Sequence, residues 1–229
     1  MSEFVMLNAS DGNELKAYVA RPARAAVGAV VVVQEIFGVN AHIRSVADGY
    51  AQAGYVAIAP AIFDRIERGI ELNYDSDSPK AFELYGKLDV EKALLDVGAA
   101  FEFVKAQDHK GIAVVGFCFG GLMAWLSATR GETVKMRPSC TVGYYAGGIG
   151  KVATEEPSCP VMLHFGADDT HIGNDQVEAV RAAHPEVEIY VYPGAGHAFN
   201  RSPDPKSFSP EAAKLAGERT LAFLKTHLA

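Results

Sequence analysis

The chain has 229 residues, 49% hydrophobic and 21% charged, which is enough to bury one sizeable core and unlike a disordered segment. Lys and Arg number 21 against 28 Asp and Glu, a formal charge of -7 that disfavours a nucleic-acid partner, because neutralising phosphates requires a basic surface. The opening MSEFVMLNASDGNE lacks the basic and apolar regions of a secretory signal, and no continuous apolar run is long enough to span a bilayer, so neither export nor a membrane segment is expected.

The chain opens as a hairpin. Phe4 to Leu7 and Leu15 to Val19 are strand-like, with Asp11-Gly12 as the turn dipeptide between them. Ala29 to Val33 is an uninterrupted β-branched run, the character of a strand buried on both faces of a parallel sheet. Asn40 is then a helix cap, with Ile43, Val46, Ala47, Tyr50 and Ala51 on one face and Gly54 as the stop. Tyr55 to Ala59 is a short strand ending at Pro60. Ser78-Pro79 is expected to open a long helical region that is interrupted or bent near Gly86, with Val90, Ala93, Leu94, Val97, Phe101 and Val104 on one stripe of its second part.

Four more strands are expected at Ile112 to Val115, Thr141 to Tyr145, Val161 to Phe165 and Glu188 to Tyr192, with helices in the gaps and a last helix from Ser209-Pro210 to near His227. The alternation implies a single α/β domain over residues 1–229, built on a mostly parallel central sheet with helices on both faces. In such sheets the site forms where the carboxyl ends of strands meet loops.

Three sets of residues fall at such ends. Gly116-Phe117-Cys118-Phe119-Gly120-Gly121 joins a strand to an apolar helix, as a nucleophile elbow does, with sulfur in place of the usual serine oxygen. A nucleophile on so sharp a turn needs small neighbours, and the helix N-terminus favours a thiolate, whereas Phe117 and Phe119 disfavour one. Gly166 to Ile172, GADDTHI, follows a strand with two carboxylates, Asp168 and Asp169, either able to orient an imidazole. Gly194 to Phe199, GAGHAF, brings His197 on a glycine-rich loop. The order nucleophile, acid, histidine is that of a strand-elbow hydrolase.

After the long buried strand comes Gln34-Glu35-Ile36-Phe37-Gly38. Its loop and the residue after the nucleophile are the expected sources of oxyanion-binding N–H groups, here Ile36 and Phe119. Glu35 ends an apolar strand, so its carboxylate must be paired, protonated or exposed. Among the other histidines, His164 lies inside a strand pattern and reads as core. Cys140 and Cys159 have no catalytic context and read as structural. Three cysteines at no metal-ligand spacing leave no metal site, and argue for a reducing compartment, the cytoplasm.

At these residues the sequence resembles the dienelactone hydrolase (carboxymethylenebutenolidase) family. The matches are QEIFGVN from Gln34, GFCFGG from Gly116, VGYYAG from Val142, HFGADD from His164 and GAGHAFNR from Gly194, in order and along nearly the whole chain. The resemblance implies an α/β-hydrolase fold, no cofactor, a small lactone or ester substrate, and a triad of Cys118, Asp169 and His197. It selects Asp169 over Asp168, gives Glu35 a part in generating the thiolate, and makes Arg201 a binder of the substrate carboxylate. One departure stands out. The family's second carboxylate-binding arginine belongs in a window that reads NYDSDSPKAF here, from Asn73 to Phe82, where Lys80 is the sole cation. An ammonium lacks the planar fork of guanidinium, which counts against dienelactone itself as substrate.

Overall fold

The computed structural model describes residues 1–107 and 109–228. Eight strands form one sheet: β1 (Ser2–Asn8), β2 (Glu14–Ala20), β3 (Ala29–Val33), β4 (Val56–Pro60), β5 (Ile112–Phe117), β6 (Cys140–Tyr144), β7 (Val161–Gly166) and β8 (Glu188–Tyr192). Their order is β1-β2-β4-β3-β5-β6-β7-β8. The β1–β2 and β2–β4 pairs are antiparallel, and every pair from β4 to β8 is parallel, so β2 alone runs against the rest. Every residue of β3 to β7 is buried, which requires cover on both faces and explains why these strands read as unbroken apolar runs. This is the mostly parallel sheet that the alternating pattern leads one to expect, in the α/β-hydrolase arrangement that the family resemblance implies.

The helices are α1 (Ala41–Gln52), α2 (Ser78–Gly86), α3 (Val90–Lys105), α4 (Phe119–Thr129), α5 (Asn174–Ala183) and α6 (Pro210–His227). Asn40 caps α1 by accepting from the Ile43 N–H at 3.2 Å, as expected of that residue type. Of the two alternatives at Gly86, interruption is the one realised: α2 ends at Gly86 and α3 begins at Val90. Asp89 caps α3 by accepting from the N–H groups of Glu91 and Lys92. The start of α2 also lies one residue earlier than the Ser-Pro signal implies: Ser78 is already helical, and Asp77 before it turns its carboxylate back to the Asn73 N–H at 2.8 Å. No α-helix fills the gap between β6 and β7, only a 3-10 turn at Ile149–Val152.

Buried residues occur all round α4, from Phe119 to Ala128, as for a helix enclosed in a core. Its Trp125 is fully buried, and the indole N–H donates to the Val152 carbonyl at 3.1 Å. The helix that carries the elbow is therefore anchored over its whole length. No described helix is long and apolar enough to cross a membrane.

Candidate active site

Strand β5 runs directly into the elbow. Cys118 has φ 55° and ψ -115°, a left-handed conformation that a side-chain-bearing residue adopts only under constraint. The constraint is steric and polar together. A Cβ on Gly116 would collide with the Gly120 carbonyl, one on Gly120 with the Val33 carbonyl, and one on Gly121 with the Tyr144 carbonyl. The Cys118 N–H donates to the Tyr144 carbonyl at 3.0 Å, fixing the elbow to β6. Glycines thus bring three backbones together, and the sulfur is left partly exposed at the tip.

The loops after β7 and β8 meet at Gly166, where a Cβ would strike the carbonyls of Ala195 and Gly196. That contact sets Asp169 beside His197. Asp169 Oδ1 accepts from the N–H groups of His171 and Ile172 at 2.8 and 3.1 Å, and its Oδ2 lies 2.8 Å from His197 Nδ1. Asp168 is exposed and takes no part. The other imidazole nitrogen, Nε2, lies 3.2 Å from Cys118 Sγ. Burial pulls the His197 pKa down, but the hydrogen bonds to Asp169 and Cys118 and the charges of those groups outweigh it and raise it to about 10. Burial likewise pushes the Asp169 carboxyl up, and the His197 pairing with the two backbone donors leaves it lowered. Both partners shift in the sense of a charged pair.

These positions can be set beside known proteins. The family model of the dienelactone hydrolase family matches residues 15–228. The chain belongs to that family. A carboxymethylenebutenolidase of Pseudomonas putida is 30% identical over 98% of this chain and 96% of its own length. A candidate carboxymethylenebutenolidase of Salmonella typhimurium is 35% identical over 93% of this chain and 83% of its own. The crystal structure of a candidate dienelactone hydrolase from Klebsiella pneumoniae superposes with a TM-score of 0.82 at 32% identity, covering 97% of this chain and 98% of that one.

In this member of the dienelactone hydrolase family a cavity of about 400 Å³ opens over the sulfur. Ile36, Phe119, Gly147 and Gly148 line it near Cys118, with His171, His197 and Arg201 at one side and Ser78, Phe82 and Tyr85 of α2 at another. The N–H groups of Ile36 and Phe119 find no acceptor among the described residues, which leaves both free for a ligand.

Glu35 and Arg201 meet, both buried. Arg201 Nη2 and Nε donate to the two Glu35 oxygens at 3.0 and 3.2 Å. Of the alternatives open to a carboxylate ending an apolar strand, pairing is the one realised. Lys80 lies off the cavity: its ammonium is 2.7 Å from Glu67 and 3.8 Å from Glu83 on the outer side of α2. Arg65 and Arg68, nearby in sequence, pair with Asp11 and Asp96 and with Glu14 respectively.

Several participants carry no sequence signal of their own. Asp204 adds a second carboxylate to Arg201, at 3.3 Å from Nη1, and Tyr74 stacks under the guanidinium with 4.2 Å from Cζ to the ring centroid. Tyr145, with φ 35°, packs its ring on His197 at 5.1 Å, and its buried hydroxyl has no hydrogen-bond partner among the described residues. His164 is core, as its strand context implies, with Nδ1 2.8 Å from the Tyr192 hydroxyl and Nε2 3.1 Å from Thr220. Burial pushes the thiols of Cys140 and Cys159 up to about 12, the behaviour of inert structural cysteines.

Proposed function

We propose that the protein hydrolyses a lactone or an activated carboxylic ester through a cysteine acyl-enzyme, with Cys118 as nucleophile, His197 as base and Asp169 as the group that orients and charges the imidazole. The observation that carries this reading is the continuous line from Cys118 Sγ to His197 Nε2 at 3.2 Å and from His197 Nδ1 to Asp169 at 2.8 Å, with the sulfur open to a cavity.

The steps follow from those contacts. With its proton already on His197 Nε2, the Cys118 sulfur bonds to the substrate carbonyl carbon, and the carbonyl π electrons move onto oxygen. That oxyanion rests on the N–H groups of Ile36 and Phe119. Collapse breaks the ester C–O bond, and the leaving alkoxide or enolate takes the proton from His197. Water then gives a proton to His197 and attacks the thioester, and the sulfur departs paired with the protonated imidazole as the carboxylic acid is released. Sulfur leaves a tetrahedral intermediate readily, so esters with good leaving groups suit this nucleophile better than amides. Glu35 is held by Arg201, whereas His197 already lies 3.2 Å from the sulfur. No cofactor enters any step. Three unpaired cysteines suit a reducing compartment such as the cytoplasm.

Cys118→Ala tests the reading. It should abolish turnover of p-nitrophenyl acetate while the circular dichroism spectrum is retained, and full activity in that variant would reject the nucleophile. A non-catalytic binding scaffold would show no turnover across an ester panel and no alkylation of Cys118 by iodoacetamide.

A further inference from the structure

Arg201 is the only lysine or arginine among the described residues that lines the cavity. It is 8% exposed, and all three of its nitrogens already donate to a carboxylate. Glu35 takes Nε and Nη2, Asp204 takes Nη1, and the rings of Tyr74 and Phe37 lie 4.2 and 5.1 Å from its central carbon. Asp204 is itself fixed by the Ser207 hydroxyl at 2.7 Å and the Lys206 N–H at 3.2 Å, so it cannot swing away freely. Two buried carboxylates on one guanidinium leave this end of the cavity with an excess negative charge. An arriving carboxylate would meet repulsion there and lose its own hydration.

The opposite wall is hydrocarbon. Ser78, Phe82 and Tyr85 share one face of α2 by their four- and three-residue spacing. Phe82 is 59% and Tyr85 37% exposed, large rings left uncovered beside a nucleophile. The Tyr85 ring stands edge-on to Phe119 at 5.7 Å, which continues the apolar surface down to the elbow. Aromatic surface left bare in a cavity gains most from an apolar group laid against it.

We infer that this cavity selects uncharged esters or lactones bearing an apolar, ring-sized group seated on Phe82 and Tyr85, and that Asp204 is the residue that withholds Arg201 from anionic substrates. The inference rests on Cys118 being the acyl-accepting nucleophile.

Two esters separate the charge effect from everything else. p-Nitrophenyl valerate and mono-p-nitrophenyl glutarate share a leaving group and an acyl chain length, and differ by a terminal carboxylate. The wild-type protein should favour the valerate in kcat/KM by at least about tenfold. Equal rates, or a preference for the glutarate, would overturn the substrate class. Asp204→Asn keeps the side chain's shape and removes its charge, so it should narrow that ratio severalfold; an unchanged ratio would overturn the role given to Asp204. Phe82→Ala should lose about fivefold more on the valerate than on p-nitrophenyl acetate, and an equal loss on both would remove the aromatic seat.

Should Asp204→Asn fail to fold, Asp204→Ser tests its role by the same ratio, and inhibition of the wild-type protein tests the substrate class independently. Benzamide should inhibit at lower concentration than benzoate, and the reverse order would sink the proposal. A protein that turns over neither ester and takes no acyl group on Cys118 would overturn the hydrolase reading together with this one. Turnover of both with the glutarate favoured would overturn the substrate class alone.

Discussion

Two histidines near the carboxyl ends of neighbouring strands, His197 after β8 and His164 within β7, are both largely removed from solvent, and their pKa values move in opposite directions. The nitrogens of His164 meet the hydroxyls of Tyr192 and Thr220, and burial, with Arg219 adding to it, pushes its pKa down to about 3. His197 meets Asp169 and Cys118, and those partners override burial and raise it to about 10. Burial alone makes a neutral core residue. A carboxylate on one nitrogen and a thiol on the other keep the proton on the ring, which is what the proposed mechanism asks of His197.

The comparison is broken most severely at His197 and the sulfur it faces. Replacing His197 by Gln, or Cys118 by Ala, should lower kcat/KM on an activated ester by about a thousandfold or more, read by steady-state kinetics. Asp169→Asn keeps the shape of the side chain but makes the partner of His197 neutral, as the partners of His164 are. A fall of about a hundredfold or more in kcat is expected, and a smaller loss would mean that the carboxylate is not what sets His197 apart.

The same contrast predicts opposite contributions to stability as pH changes. His164 folds with its pKa below the ordinary 6.5, so the stability it allows is present above about 6.5 and is lost as pH falls towards about 3. His197 folds with its pKa above 6.5, so its contribution is whole below about 6.5 and is lost as pH rises towards about 10. Urea unfolding across pH should show a shallower acid slope in His164→Gln than in the wild type, with esterase activity at neutral pH within about twofold. An unaltered acid slope would show that His164 is not buried in its neutral form.

Buried charge at the cavity extends the comparison from histidines to carboxylates. Glu35→Ala leaves Arg201 buried against Asp204 alone, and a loss of about 3–5 kcal/mol in unfolding free energy is expected. Lys80→Ala, on the outer side of α2, should change kcat/KM by less than about twofold. A larger change would bring Lys80 back as a substrate contact.

The parts of this arrangement differ in how plainly the chain announces them. Strands β3 to β7 are legible because burial on both faces demands runs such as AVVVV. The elbow is legible because three backbones converge there and only glycine fits around Cys118. The residues on their own left Asp168 and Asp169 equivalent, and the family resemblance pointed to Asp169. The structure supplies the physical difference: Asp169 is tied by the His171 and Ile172 N–H groups and turned inward, while its neighbour is exposed.

Other features depend on long-range contacts that no local pattern records. Asp204 sits in a proline-flanked turn where an acid is ordinary, and only the fold shows it against Arg201. Lys80 stands in the right window, but the direction of its side chain is set by Glu67, thirteen residues earlier. Ser78-Pro79 marks the start of α2 to within one residue, because Asp77 is drawn back to Asn73 instead of capping forward. The bareness of Phe82 and Tyr85 is likewise invisible in a helix whose other apolar residues, Ala81 and Leu84, are buried.

The central claim is that the sulfur of Cys118 carries the acyl group between the two halves of the reaction. The most direct measurement mixes the protein rapidly with p-nitrophenyl acetate, quenches in acid during turnover and maps the peptides by mass spectrometry. An acetyl group on the peptide bearing Cys118, absent after prolonged incubation and absent in His197→Gln, is the predicted result. Sustained turnover with Cys118 never acetylated would contradict it.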